Sequence, residues 1–237
     1  MSLAPRVDLI ENQVAVIQSA DANKTLTSTD KRRQIFTGPT TSRDCTLPTT
    51  GIVAGETWTI ENTSAFDLVI KSSNGSALTI ANGANIDATM RNGYARLVAL
   101  VATPTTPAHW RVAQVEERCE LTSVMNSMNV TAPAVTYKIS RKNSTVTVTQ
   151  KTYVTSASKN NTSDPTPNAF LATRHCPVDF TIYSNHMYTN DAGTTLQLGI
   201  LYIGTGGDIN YSKNIYGAAW ALAGTTLYPF TITYVNN

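Results

Sequence analysis

Residues 24–115 alternate apolar and polar side chains with a period of two, and turn-forming residues interrupt the alternation roughly every 8 to 12 positions. In ETWTIEN, residues 56–62, Trp58 and Ile60 share one face of an extended strand. DLVIKSSNG and ALTIANG end in Asn-Gly pairs, which favour tight hairpin turns. The pattern predicts an antiparallel β-sandwich over 24–115, with YARLVALVA as its central strand.

A second β module is predicted over residues 130–237. No glutamate occurs beyond Leu121, and nine of the ten tyrosines lie there. Six to eight strands with long polar loops fit a jelly-roll-like sandwich, and the predicted strands are VTYKIS, STVTVTQKTYV, DFTIYSNHMYT, TTLQLGILYIG and TLYPFTITYV. Residues 116–129, EERCELTSVMNSMN, are predicted to form a short connector with room for a helix. The predicted fold class is therefore all-β, with two antiparallel sandwich modules.

Residues 1–23 carry a different, heptad-like pattern with apolar residues spaced by four and three. These candidate anchoring or oligomerisation residues are Leu3, Val7, Ile10, Val14 and Ile17. A helix this short is marginal in water and needs partners. The segment is predicted to be a short helix or arm, either in a symmetric bundle, for which a trimer is preferred, or docked on its own domain or a neighbouring protein.

Composition excludes several classes of function. Charged residues are 14% of the chain and the formal net charge is +2, so a nucleic-acid binder working mainly through phosphate contacts is not expected. No segment has the roughly 20 apolar residues of a membrane span, and the N-terminus lacks the apolar core of a signal peptide. The three cysteines are far apart, and synthesis in a reducing host cytoplasm is expected.

The sequence contains no pattern typical of an active site. His175 and Cys176 are neighbours, and adjacent strand residues face opposite ways, so they do not form a nucleophile–base pair. The acidic residues of the second module are far apart in sequence, and Gly204-Thr205-Gly206 lacks the context of a phosphate loop. No catalytic residue, metal ligand or cofactor is predicted, and the chain is not expected to be an enzyme.

Contact residues are predicted in the second module instead. Tyrosine supplies a large rigid surface with one polar tip, which suits binding to sugars or proteins. Tyr183, Tyr202 and Tyr234 are assigned to sheets, while tyrosines in loops are expected to be exposed. The candidate host- or ligand-contact residues are His186, Tyr188, Asn190, Tyr211 and Tyr216.

Residues 24–112 resemble short bacteriophage fibre and virion-surface proteins. The resemblance rests on KTLTSTD followed by QIFTGPTT, CTLP, GETWTIEN, LVIKSSNG, NGANIDATM and AHWRV. It implies a homotrimeric virion structural protein, a tail or head fibre, that is anchored to tail or capsid proteins through the N-terminus. The Thr-, Asn- and Tyr-rich second half resembles the terminal sandwich of such fibres and implies contact with a host glycan or protein.

Three alternatives remain open on the sequence. A capsid-surface decoration protein shares almost every feature of the fibre. A polysaccharide-degrading enzyme would need acidic residues that converge only in the folded chain. A secreted adhesin is disfavoured by the missing export signal.

Overall fold

The computed structural model describes residues 14–80, 87–123, 135–150, 153–154, 163–165, 170–177, 181–189, 196–212 and 226–236. Their regular structure consists of strands and two 3₁₀ turns, and no α-helix occurs among them. The all-β prediction is therefore confirmed. None of the helical segments in this part of the chain is long and apolar enough to cross a membrane.

The chain divides into two compact units. The first comprises residues 1–119 and 141–144, and the second comprises residues 120–140 and 145–237. Strands of the first unit are β1 (Ala15–Gln18), β2 (Lys24–Thr25), β3 (Arg33–Phe36), β4 (Arg43–Thr46), β5 (Thr57–Asn62), β6 (Leu68–Lys71), β7 (Gly93–Ala99) and most of β8 (Trp110–Ser123). A 3₁₀ turn, Pro107–His109, precedes β8. The chain passes between the units along β8 and along β9 (Val135–Lys142).

Six strands of the first unit alternate between two sheets. Strands β1, β3 and β5 pair in parallel in one sheet, and β2, β4 and β6 pair in parallel in the other. Each consecutive pair, β1–β2, β3–β4 and β5–β6, is thus one coil of a three-coil stack, which we call the coil stack. Strands β7 and β8 extend the first sheet by antiparallel pairing beside β5. Antiparallel pairing was predicted for this module. That prediction is wrong for the pairings among these six strands, which are parallel.

The core of the first unit lies between its two sheets. Phe36, Trp58 and Ile60 from one sheet and Leu68 and Ile70 from the other are almost fully buried. Trp58 and Ile60 share a face as predicted, and β7 is an interior strand between β5 and β8. Burial of aromatic and aliphatic side chains is the main stabilising contribution in such a layer.

Polar side chains tie successive coils together. Asp21 of the first coil accepts a hydrogen bond from Arg43 Nε of the second at 2.7 Å, and Asp44 of the second pairs with Lys71 of the third at 2.7 Å. Hydrogen bonds from Arg43 and then Thr40 hold the pKa of Asp21 well below its usual range. The coil stack therefore combines a buried apolar interior with ion pairs between successive coils at its surface.

The predicted turn at Asn74-Gly75 is present. Gly75 donates its amide to Ser72 O at 2.9 Å and adopts a φ of 85°, a conformation in which glycine has no Cβ penalty. The second predicted turn, Asn82-Gly83, lies outside the described residues.

The predicted helix or arm meets a strand at its C-terminal end. Ile17 lies in β1, which pairs with β3, and Val14 immediately precedes β1. A helix continuing through Ile17 is therefore wrong, because residues 15–18 form the first strand of the coil stack. Both side chains are exposed, at 54% for Val14 and 65% for Ile17. The other three candidate anchoring residues, Leu3, Val7 and Ile10, lie outside the described residues.

The predicted connector 116–129 is strand as far as Ser123, and residues 124–129 lie outside the described part. Val115, Glu117 and Cys119 are buried at alternate positions of β8. The segment was assigned to a connector because Glu117, a carboxylate, occupies a buried strand position at which an apolar residue is expected. Its charge is matched by buried Arg141, with Arg141 Nε 3.6 Å from Glu117 Oε1.

The second unit contains strands of two sheets. One includes most of β9, together with β10 (Thr145–Gln150) and β17 (Phe230–Val235), and β10 and β17 are antiparallel. The strands of the other are β11 (Tyr153–Val154), β12 (Ser163–Pro165), β13 (Ile182–Thr189), β14 (Leu196–Ile203), β15 (Ile209–Ser212) and β16 (Thr226–Leu227). Their order is β11-β16-β13-β14-β15-β12, with antiparallel pairing. The second 3₁₀ turn is Thr173–His175.

Candidate contact surface

Apolar side chains occupy one side of β14 and the adjoining position of Tyr183 on β13. Tyr183 of β13 lies opposite Tyr202 of β14, and Leu198 and Leu196 follow on β14 at positions that share the side of Tyr202. The exposed fractions are 69% for Tyr183, 56% for Leu198 and 55% for Leu196. Ile200 lies between Leu198 and Tyr202 and is half-buried. We call these five residues the outer β13–β14 face.

The two tyrosine rings of this face contact each other. Their centroids are 5.7 Å apart and the planes are inclined at 45°, a geometry between the stacked and edge-to-face arrangements that aromatic pairs prefer. Burial, then the nearby Asp208 carboxylate, raises the pKa of the Tyr202 hydroxyl. Tyr202 is therefore neutral at physiological pH, and the described side chains of the face carry no charge.

The opposite side of β14 belongs to the core of the second unit. Leu201 and Ile203 are fully buried there, and Tyr211 and Ile209 lie opposite them on β15. Strand β14 therefore presents apolar side chains on both of its sides, and one side remains largely exposed in the single chain.

Threonine occupies the corresponding outer side of β10 and β17. Thr147 and Thr233 are hydrogen-bonded through their hydroxyls at 2.9 Å, and Thr149 and Thr231 at 3.1 Å. All four hydroxyls lie in an exposed environment, and threonine is a residue that suits a half-solvated strand. The paired positions of this surface are polar, whereas those of the outer β13–β14 face are apolar.

Tyr211 is not an exposed loop residue, and that prediction is wrong. It lies in β15, is 1% exposed, and shares a 3.0 Å hydroxyl–hydroxyl hydrogen bond with Tyr137 of β9. It also donates to Gln150 Oε1, and its ring packs edge-on against Phe230. The hydroxyl is satisfied inside the core, which lets a tyrosine join the two sheets of this unit.

The other candidate contact residues are only partly within the described part of the chain. His186 and Tyr188 belong to β13, where they lie opposite Gly199 and Gln197, so Tyr188 is in a strand and not in a loop. Asn190 and Tyr216 lie outside the described residues. Their roles in host contact stay predictions.

Tyr183, Tyr202 and Tyr234 lie in strands, as predicted. Tyr234 is buried, and its hydroxyl donates to His175 O. The exposure of Tyr183 was not anticipated. The uninterrupted apolar run 198–203, LGILYI, was the available indication, since a strand with only one covered side alternates with polar residues.

The cysteine thiols show no sign of activation. Complete burial strongly raises the pKa of Cys45, and burial raises the pKa of Cys176 to about 11, with the Asp208 carboxylate adding to the shift. Both thiols are protonated at neutral pH, and the thiolate is the nucleophilic form. Among the described residues, no group of three or more His, Cys, Asp or Glu side chains is placed to hold a metal ion.

Comparisons with known proteins gave distant structural similarities. No family model and no curated protein matches the chain. The reovirus attachment protein sigma1, solved in complex with α-2,3-sialyllactose, is 12% identical with a TM-score of 0.38, over 52% of this chain and 67% of that one. The receptor-binding head domain of lactococcal phage bIL170 is 12% identical with a TM-score of 0.33, over 49% of this chain and 97% of that one. Both matched chains are viral attachment proteins, at similarities too distant to assign a function to this chain.

Proposed function

We propose that the chain is a bacteriophage virion structural protein, a short trimeric fibre. Its C-terminal unit contacts the host surface, and its N-terminal segment anchors it to the particle. The outer β13–β14 face supports the trimeric part of this proposal, because an exposed apolar surface on a folded chain is typical of an interface with another protein chain. The resemblance of residues 24–112 to phage fibre proteins supports the assignment to a virion.

The architecture of the first unit suits a particle exposed to the environment. Its coil stack buries Phe36, Trp58 and Ile60 and matches charges between successive coils. Parallel strands that pair coil to coil leave few backbone groups unsatisfied along the stack. We propose a mechanical role for this unit and no catalytic role for the chain.

Competition with phage adsorption tests the host-contact function. Purified full-length chain, added to host cells before the phage that carries it, should lower the adsorption rate in a saturable way. Replacing Tyr188 and Tyr216 by alanine should relieve the competition, since these are the candidate contact tyrosines. Tyr228→Ala is the matched control, because Tyr228 is an exposed tyrosine of this unit and is not a candidate.

The outcomes separate the competing functions. No competition at saturating protein contradicts the host-contact role. Binding to capsids that lack the chain, with no binding to cells, favours a capsid decoration protein. Release of oligosaccharides from host polysaccharide identifies an enzyme.

A further inference from the structure

Strand β14 has the side-chain pattern of a strand that is buried on both sides. Leu201 and Ile203 fill the core on one side, while Leu196, Leu198 and Tyr202 stand on the other. In an antiparallel sheet with one solvated side, outward positions are ordinarily polar, and runs that are apolar on both sides belong to strands buried on both sides. The chain itself leaves Leu196 and Leu198 more than half exposed.

The same unit shows what a hydrated sheet surface looks like in this chain. The outer positions of β10 and β17 carry paired threonines, Thr147 with Thr233 and Thr149 with Thr231. The outer β13–β14 face has leucine, isoleucine and tyrosine in the equivalent role. Val235 is exposed beside these threonines, so the two surfaces differ in degree, and the outer β13–β14 face carries the larger exposed apolar area.

The size of the apolar surface fits the centre of an interface between protein chains. From the exposed fractions, the outer β13–β14 face offers on the order of 400 Å² of apolar area. A stable interface buries roughly 800 Å² per partner, of which slightly more than half is apolar. The face therefore supplies about the apolar share that one partner of a stable interface needs.

The apolar character of the outer β13–β14 face indicates which kind of partner binds it. The described side chains of the face itself carry no charge, with the Asp208 carboxylate near Tyr202 at one end, and the positions lie on paired strands of a sheet rather than around a cleft. Two sheet surfaces pack well when both are apolar and extended. The outer β13–β14 face has that character itself, so three copies of the chain can bring this face together around a threefold axis.

We propose that copies of this chain associate through the outer β13–β14 face, with Leu196 and Leu198 at the centre of the contact and the Tyr183–Tyr202 pair at one end. This inference rests on the trimer in the proposed function and names the surface that holds it together. Tyrosine is among the residue types that contribute most of the binding free energy of an interface, and leucine contributes through the apolar area that it buries.

The test measures the mass of the full-length chain in solution. Sedimentation equilibrium over a range of concentrations should give a trimer for the unchanged protein and a monomer for Leu198→Asp, with an unchanged far-ultraviolet circular dichroism spectrum. Thr233→Asp is the matched control: it places the same charge at an exposed strand position of the other sheet and should leave the mass of the trimer unchanged. Leu198→Thr retains a strand-forming residue and should raise the dissociation constant at least about tenfold.

Each outcome decides the inference. A trimer that persists in both Leu198 variants overturns the proposed surface and leaves the trimer and the host-contact function intact. A monomeric unchanged chain at high concentration overturns both this inference and the trimer, while competition with phage adsorption still reports separately on host contact. If Leu198→Asp does not fold, the dissociation constant of Leu198→Thr decides.

Discussion

The buried ion pair of Glu117 and Arg141 is the residue-level feature that most distinguishes this chain from a simple sandwich. Both side chains are fully buried, and the Arg141 guanidinium also donates to Asp87 O at 3.1 Å and to Thr89 O. Glu117 Oε2 accepts the Arg91 amide at 3.3 Å. The pair thereby joins β8 and β9 to residues 87–91 within the first unit.

Glu117→Gln should lower the free energy of unfolding by about 3–5 kcal/mol, because it leaves the Arg141 charge buried without its partner. Glu116→Gln on the same strand is the matched control. Its pair with Lys142 is much more exposed, so its loss should cost less than about 1 kcal/mol. Urea unfolding followed by tryptophan fluorescence measures both variants, and equal losses would contradict a stabilising role for the buried pair.

At the residue scale, the sequence was sufficient to predict burial for side chains that follow the alternating strand pattern. Trp58 and Ile60 are buried together as predicted. Tyr211 and Glu117 were misplaced for one reason: each is a polar residue whose partner, Tyr137 or Arg141, is distant in the chain. A polar group is buried without penalty only when such a partner is present, and the partner is not visible in the local pattern.

At the scale of elements, the attachment of β1 to the coil stack depends on a close backbone approach at Gly38. A Cβ at this position would lie 2.2 Å from Ser19 O, in the turn that follows β1. Thr37 donates its amide to Gln18 O at 3.0 Å beside it. The absence of a side chain at Gly38 therefore allows the first coil to rest on the second.

Gly38→Ala should displace the first coil and leave the rest of the first unit folded. Amide hydrogen exchange should show loss of protection in residues 15–18 by at least about tenfold, with protection of β5 and β7 retained. Gly75→Ala is the control. A Cβ added at this position would meet nothing within 4 Å, and the strain from its positive φ is confined to the turn. Unchanged protection of β1 in Gly38→Ala would show that this contact does not hold the first coil.

The direction of strand pairing was the main feature of the elements that the sequence did not reveal. Alternation of apolar and polar side chains identifies a strand and its buried side. The alternation is the same whether the neighbouring strand is parallel or antiparallel. Strand β3 therefore matched its predicted segment QIFTG while pairing in parallel with both β1 and β5. Jelly-roll topology in the second unit stays a prediction.

At the scale of the whole molecule, the proposed function depends on the surfaces of the two units. The first unit contributes a coil stack with matched surface charges, and the second contributes a threonine surface and the outer β13–β14 face. The proposed contacts with a particle, with a host and with further copies would use such surfaces. The proposed role came from the sequence, while the location of the apolar surface required knowing which side of β14 faces the core.

Immunogold labelling of intact phage particles, viewed by electron microscopy, tests the proposed virion role most directly. The antibody is raised against the purified full-length chain, and a phage lacking the coding sequence is the negative control. We expect gold particles at fixed positions on the outside of most virions. Purified virions that contain none of the chain, by labelling and by mass spectrometry, would contradict the account.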